Sequence, residues 1–482
     1  MFTFFAGVLI LLAGYAFYSR LAERLFRPGD RPTPALADPD GVDRIPLPLW
    51  KNLLIQLLNI AGVGPVIGVI LGIKFGAIVF LILPVGNIIG GAVHDYFSGM
   101  VSVRHNGANM PTLARHYLGP RVYHAYTWFL AMTLLLVGAV FINIPAGILA
   151  GGGGTPLFWG AVAAIFGYYF VAAFFPVDKV IGRIYPVFGG LLILASLAVV
   201  AALAPHTGLL QEVDFTQPLN RHPGGEPILP MLFVTIACGI ISGFHSTQAP
   251  IVARTLVSER QGRLVFYGMM VAEGLIGMIW AAGGMAVYAR YGTLRDSGNG
   301  TLILRELVTW LLGPAGGWVA LTGVIVLAVT SGDTALRSLR LAMAEYFGID
   351  QRPVAKRLAT VAPIFAVVAL LLGWSNADPN GFKTLWNYFA WSNQVMAVFA
   401  LLIAAVWLGR NGRPVWIALL PGAFMLFVVA TYILWVSPAN LQGAPVGLGM
   451  PYGRALAVAA VFTLMVSLWS AARGRSGNQE PG

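Results

Sequence analysis

The sequence predicts an all-α polytopic membrane protein of about 13 transmembrane helices: two inverted five-helix repeats with one helix before them and two after. Three observations predict this. Of 482 residues, 57% are hydrophobic and only 10% charged, with a mean hydropathy of +0.76, whereas a soluble domain carries about 25% charged residues. The apolar residues fall into runs near the roughly 20 residues that cross a bilayer as a helix. The basic residues gather after alternate runs, as they do when cytoplasmic loops retain positive charge.

In chain order, the first apolar run is 2–19. No basic residue precedes it and no small-residue cleavage site follows, while Arg20, Arg24 and Arg27 come directly after it. It therefore reads as a retained helix with its N-terminus outside. The stretch LFRPGDRPTPALADPDGVDRIPLP, rich in Pro and Asp, reads as an ordered loop. Further spans are expected at 50–73, 75–100, 122–150, 156–177, 184–204, 229–248, 264–290, 315–335, 358–374, 385–408, 414–436 and 453–471. The division of 50–73 from 75–100 rests on Lys74 and the glycines around it. This arrangement leaves Lys74, Arg221, Arg290, Arg295, Arg305, Lys383 and Arg454 on one side and the other 23 of the 30 Lys and Arg on the opposite side. The richer side is expected to be cytoplasmic, with the N-terminus outside and the C-terminus inside. The net charge of +11 is then topological, which argues for a lipid bilayer as the environment and against nucleic acid as a partner.

Two spans carry the marks of a broken helix. In the second, NIAGVGPVIGVILG places Gly62, Gly64, Pro65 and Gly68 at membrane depth; in the seventh, ACGIISGFHSTQAP places Gly239, Ser242, Gly243, His245 and Pro250 within 12 residues. Proline removes a backbone donor and glycine weakens a helix, and non-helical backbone persists in a membrane only where protein buries it or it lines a watery cavity. The second span opens a block of five spans running from the inside outward, and the seventh opens a block of five with the opposite sense. Matching interruptions in inverted repeats point to a transporter's central site. The chain is accordingly read as one membrane domain, 1–482: an extra helix at 2–19, a first repeat at 50–204, a second at 229–408, two helices within 414–471, and a disordered tail at 472–482.

Ionisable and amide side chains inside a membrane are expensive, roughly 2.5–3.5 kcal/mol for a charge at its centre, and tend to carry function. For substrate binding the candidates are Asn59, Gly62, Gly64 and Pro65 at the first interruption, Ser242, Gly243, His245, Thr247 and Gln248 at the second, and Asn393 and Gln394 in the eleventh span. The last two read equally as amides that glue helices together. For ion or proton coupling the candidates are Ala61, through a freed carbonyl, then Thr330, Ser331, Asp333 and Thr334 in VTSGDTALR, whose oxygens suit a hard cation, and Glu273, which reads equally as a proton acceptor and as a partner for a neighbouring helix. His94 and Asp95, near the cytoplasmic end of the third span, read as a gate or structural pair, with Asp95 bonding an inner-loop arginine or the backbone of a broken helix and His94 an inner-gate or proton-relay candidate.

Enzyme signatures are missing: no GxxxxGK[ST], HExxH or GxSxG occurs. A single cysteine, Cys238 within an apolar run, excludes a disulfide framework. No cofactor is expected beyond Na⁺ or H⁺ as a coupling ion.

The stretches DGVDRIPLPLWKNLLIQLLNIAGVGP, GGAVHDYFSGMVSVRHNGANMP, VDKVIGRIYPVFG, ACGIISGFHSTQAPIVAR, VTSGDTALRSLRLA and YFAWSNQVMA resemble the carbon starvation protein CstA family, also called the peptide transporter/carbon starvation family. The resemblance covers about residues 1–410 and is closest to its shorter members. It implies secondary transport in a bacterial inner membrane, of peptides or in some members of pyruvate, when carbon is scarce. It also implies kinship with the amino acid–polyamine–cation superfamily, where a sodium site can lie between the first broken helix and the third helix of the second repeat. Here that would be Ala61–Gly64 with Thr330, Ser331 and Thr334. Val63 stands where many members would carry Thr, and Ala249 where Ser is expected; the missing hydroxyl at 63 leaves only backbone oxygens there. The sequence thus predicts a proton- or sodium-coupled importer of a short peptide or a small carboxylate such as pyruvate, working by alternating access around the two interruptions. A passive channel or a membrane sensor is the rival reading, and no oligomeric state is assigned.

Overall fold

The fold was analysed in a computed structural model that describes residues 1–39, 44–174, 177–293, 299–351, 353–440 and 447–476, with backbone only for 177–188. Of the features named above, residues 40–43, Arg295 and the tail beyond 476 lie outside the described residues. All regular structure among the described residues is helical. The principal helices are α1 (Phe2–Phe26), α2a (Leu49–Ile60), α2b (Gly64–Phe75), α3 (Val79–Arg104), α4 (Pro120–Ala150), α5 (Pro156–Ala172), α6 (Val177–Leu203), α7a (three short pieces from Ile228 to Ile240), α7b (Gly243–Ala253), α8 (Glu259–Arg290), α9 (Gly300–Phe347), α10 (Val354–Ala377), α11 (Gly381–Arg410), α12 (Trp416–Trp435) and α13 (Tyr452–Arg475).

Each expected span coincides with helical residues, but fewer qualify as membrane-crossing by length and composition. Ten helices qualify among the described residues, and the pair α2a–α2b, bent by 56°, makes an eleventh. The shortfall has two physical sources: α5 has only 17 residues, and α7 is cut into pieces of at most 11.

Two short helices were not anticipated. Met110–Leu118 buries Met110, Leu113, Ala114, Tyr117 and Leu118, and the first part of α9 buries Ile303, Leu304, Leu307 and Val308. Both show the spacing of an amphipathic surface helix, which a search for 20-residue apolar runs passes over. Each ends in the same tripeptide, Leu118–Gly119–Pro120 and Leu312–Gly313–Pro314, with glycine at φ +97° and +70°. Glycine adopts that turn without a Cβ penalty, and proline fits the first turn of the helix that follows. Helix α4 and the second part of α9 start there, and α4 and α9 pack against one another.

The two breaks differ in form. At the first, Ala61 leaves the helix at φ −73°, ψ 66° and the Gly62 amide turns back to the Ile60 carbonyl, 2.7 Å away. At the second, Ile241 and Ser242 are extended, at φ −161° and −131°. Between them α2b presents Gly64, Gly68 and Gly72, four residues apart on one face. A Cβ on Gly64 would overlap Cys238, one on Gly68 would come within 2.8 Å of the Thr235 carbonyl, and one on Gly72 would overlap Ile236. The glycines read from sequence as helix breakers therefore also allow the two broken helices to touch, as small-residue stripes do in membranes.

At one end of the bundle the α1 N-terminus is anchored by Glu212, which accepts from the amides of Phe2 and Thr3, both at 2.8 Å. At the other end, Glu259 accepts from Gly29 N at 2.8 Å and Arg104 Nε at 3.2 Å, and Thr255 O accepts from Leu47 N at 3.0 Å. Gly29 and Leu47 are thereby tied to the ends of α3, α7b and α8.

Candidate functional site

The second break is held by amide side chains from neighbouring helices. Asn393 on α11 accepts from the Phe244 amide at 2.6 Å, capping α7b, while its Nδ2 donates to Ser242 Oγ at 2.9 Å. Gln394, the next residue, donates to the carbonyls of Phe233 and Val234 in α7a at 3.0 and 3.3 Å. Asn87 on α3 donates to Gly239 O at 3.2 Å and Met270 O at 3.0 Å. Gly243 sits so close to α11 that an added Cβ would overlap the Asn393 carbonyl and the Ala397 amide. These side chains supply the partners that interrupted backbone requires at membrane depth. Adjacent residues of one helix thus grip both halves of α7, and most of the polar atoms of Asn393 and Gln394 are taken by protein rather than left facing a ligand.

Within α7b, Thr247 Oγ1 donates to Phe244 O at 2.7 Å, and Gln248 Nε2 donates to Thr247 Oγ1 at 2.9 Å and Ser338 Oγ at 3.4 Å.

The first break is arranged differently. Gln56 and Asn59 are fully buried, and both polar atoms of each have no hydrogen-bond partner among the described residues. With Asn52 they occupy positions i, i+4 and i+7, one face of α2a. Asn52 turns that face toward the end of α7b, accepting from Thr255 Oγ1 at 2.6 Å. A Cβ on Gly62 would lie 3.4 Å from Ser331 Oγ, a buried hydroxyl likewise without a partner among the described residues. Of the other cation candidates, Thr330 donates to Leu327 O at 3.1 Å and Thr334 to Ser331 O at 3.0 Å within their own helix. Asp333 lies 3.7 Å from Arg337, which donates to Ala172 O on α5 at 3.1 Å. Ser331 therefore meets the first break while Asp333 pairs on the side of α5.

A third group joins residues distant in sequence. Asp95 Oδ1 is 2.8 Å from His94 Nδ1 and Asp95 Oδ2 is 3.1 Å from His245 Nδ1. His245 Nε2 faces Glu273 Oε1 at 3.8 Å. All four side chains are at most 1% exposed. The expected arginine partner of Asp95 is thus replaced by two histidines; Arg104 pairs with Glu259 instead, because α3 carries it more than two turns further along, to the helix end. Gln56 was missed from the sequence, although its spacing from Asn52 and Asn59 carried the signal. Cys238 is the α7a residue that meets Gly64 of α2b.

Carbon starvation protein CstA is the family description that matches the chain, over residues 1–162, 157–295 and 303–432. The chain belongs to this family. It is 39% identical over 349 residues to an uncharacterized membrane protein of Haemophilus influenzae, covering 62% of this chain and 94% of that one. It is 26% identical over 532 residues to the peptide transporter CstA of Bacillus subtilis, covering 89% and 88%. The pyruvate/proton symporter BtsT of Escherichia coli is 25% identical over 342 residues, covering 57% of this chain and 47% of that one. Among solved structures, a manganese transporter of Eremococcus coleocola matches with a TM-score of 0.59 at 12% identity, covering 90% of this chain and 98% of that chain. That likeness concerns the fold. The chain is a multi-pass membrane protein of a family several of whose curated members carry transporter names.

Proposed function

We propose that this family member is a secondary active importer that moves a short peptide or a small carboxylate such as pyruvate through the bacterial inner membrane, N-terminus outside and C-terminus inside. The observation that carries the reading is the pair of broken helices meeting at Gly64 and Cys238, with buried polar atoms beside the first break that have no hydrogen-bond partner among the described residues. A buried amide or hydroxyl without a partner costs about 1–3 kcal/mol; three such side chains around one break, Gln56, Asn59 and Ser331, are better accounted for as ligand contacts than as packing. Substrate binds against Gln56, Asn59 and the Ala61–Gly64 turn, and rocking of one repeat against the other gives alternating access. The repeated Leu-Gly-Pro turns ahead of α4 and α9 support the inverted repeat, because they stand at corresponding places in the two halves.

The names of the curated relatives support transport, and one of them is a proton symporter by name. Sodium is the second reading, favoured by the unpartnered Ser331 hydroxyl beside Gly62.

Uptake into proteoliposomes tests the proposal, with labelled pyruvate compared with di- and tripeptides under imposed H⁺ or Na⁺ gradients. Accumulation above the outside concentration under one gradient supports it; equilibration of every solute regardless of gradient would instead identify a channel. Na⁺ stimulation that disappears in Ser331→Ala would select sodium.

A further inference from the structure

The residues His94, Asp95, His245 and Glu273 come from α3, α7b and α8, and no lysine or arginine is ion-paired with any of them among the described residues. We infer that they form one proton-coupling unit in which Asp95 is the positioning residue and the proton moves between Glu273 and His245 Nε2. The inference rests on the transport reading above and identifies which ion is coupled and where it sits.

The geometry leads to it in three steps. An ionised carboxylate only accepts hydrogen bonds. The two Asp95 oxygens face the Nδ1 atoms of two different imidazoles at 2.8 and 3.1 Å, so each histidine carries its proton on Nδ1. Each neutral ring then presents Nε2 as a lone-pair base, and neither Nε2 has a hydrogen-bond partner among the described residues. This is the logic by which a carboxylate orients a catalytic or metal-bound histidine.

Glu273 supplies the exchange partner. Both its oxygens are buried and without a hydrogen-bond partner among the described residues, and Oε1 lies 3.8 Å from His245 Nε2. A movement of about 1 Å brings the pair to hydrogen-bond distance. The Glu273 O–H bond then breaks as the His245 Nε2–H bond forms, leaving a carboxylate and an imidazolium whose other N–H remains on Asp95. With both carboxylates ionised and both histidines neutral the group carries two net negative charges in low dielectric, so it favours taking up a proton.

The unit also touches the moving part. His245 is the third residue of α7b, three positions past the extended Ile241–Ser242 pair, whereas Asp95 and Glu273 stand on other helices. Bending at the break changes the His245–Glu273 distance, and proton occupancy in turn biases the bend. Other titratable groups on the elements around the unit are Cys238 on α7a, within electrostatic reach of Glu273, Tyr96 on α3, Tyr126 on α4 and Tyr267 on α8, whose hydroxyl donates to Ile88 O at 2.9 Å. On α2a the buried polar groups are amides.

Nitrogen NMR of imidazole-labelled full-length protein in lipid nanodiscs tests the unit without any substrate, with His94→Gln and His245→Gln used to assign the signals. Both neutral rings are expected in the Nδ1–H form. In Asp95→Asn one ring is expected to switch, because the amide offers one acceptor and one donor. In Glu273→Gln the His245 titration is expected to move. Nε2–H tautomers in the wild type, or a His245 titration unmoved by Glu273→Gln, overturn the inference. In proteoliposomes Glu273→Gln is expected to lower proton-driven accumulation by about tenfold or more; a wild-type pH profile in that variant would also overturn it. If the wild type moves none of the solutes tested, the transport reading fails, and the NMR result still decides the unit.

Discussion

The two breaks of the bundle solve the same backbone problem in opposite ways. Around the α7 break, Asn87, Asn393 and Gln394 reach in from α3 and α11 to satisfy freed carbonyls and an amide. Around the α2 break, Gln56, Asn59 and Ser331 are just as deeply buried, but their side chains have no hydrogen-bond partner among the described residues. Polar side chains at membrane depth are thus used differently at the two breaks: at α7 they hold interrupted backbone in shape, and at α2 they stand without a hydrogen-bond partner among the described residues. Residue type does not separate the cases, since Asn59 and Asn393 are both asparagines beside a broken helix.

Substitutions at the two breaks should therefore differ in sign. Gly243→Ala has the largest expected effect, because the added Cβ meets α11 backbone that cannot move aside; about 3 kcal/mol of stability is expected to be lost, read as a lower thermal midpoint in detergent, and a midpoint within error of wild type would show that the α7–α11 contact can yield. Asn393→Leu removes the cap of α7b and strands the Phe244 amide, which should cost about 2 kcal/mol in the same assay. By contrast, Asn59→Leu at the α2 break is expected to leave the midpoint unchanged or raise it by about 1 kcal/mol, because it deletes a buried amide without a partner, while substrate uptake falls. Destabilisation by Asn59→Leu matching that of Asn393→Leu would erase the distinction between the breaks.

The smallest effect is expected far from both. Arg260 donates to both Asp30 oxygens at 2.9 and 3.0 Å and holds that exposed carboxyl below its ordinary range. A depressed folded-state pKa contributes stability that is present above the ordinary carboxylate pKa and lost as pH falls through the folded value. Water and salt screen such a pair, so Asp30→Asn should leave the midpoint at neutral pH unmoved, and any loss should vanish in acid.

Much of this arrangement could be read in the chain itself. The apolar runs marked the helices, and Gly62, Gly64 and Pro65 marked the first break to within a residue or two. The Leu-Gly-Pro repeat was also present in the residues, though it takes on meaning only once both glycines are seen at positive φ. The candidate site was less legible. His94 and Asp95 lie about 150 residues from His245, and no local pattern says that one carboxylate will face both rings. Asn393 and Gln394 read equally as ligand contacts and as packing amides, because nothing in their neighbourhood shows that the carbonyls of Phe233 and Val234 need partners there.

What the sequence by itself determined is what depends on solvent and on near neighbours. Hydrophobic run length set the helices, the distribution of Lys and Arg gave their expected sense, and Gly and Pro set where helical hydrogen bonding stops. Only the tertiary structure decided which buried polar atoms are satisfied. A hydrogen bond between helices depends on separations of about 3 Å, fixed by packing across the whole bundle, so one residue type became a clasp at α7 and an open contact at α2.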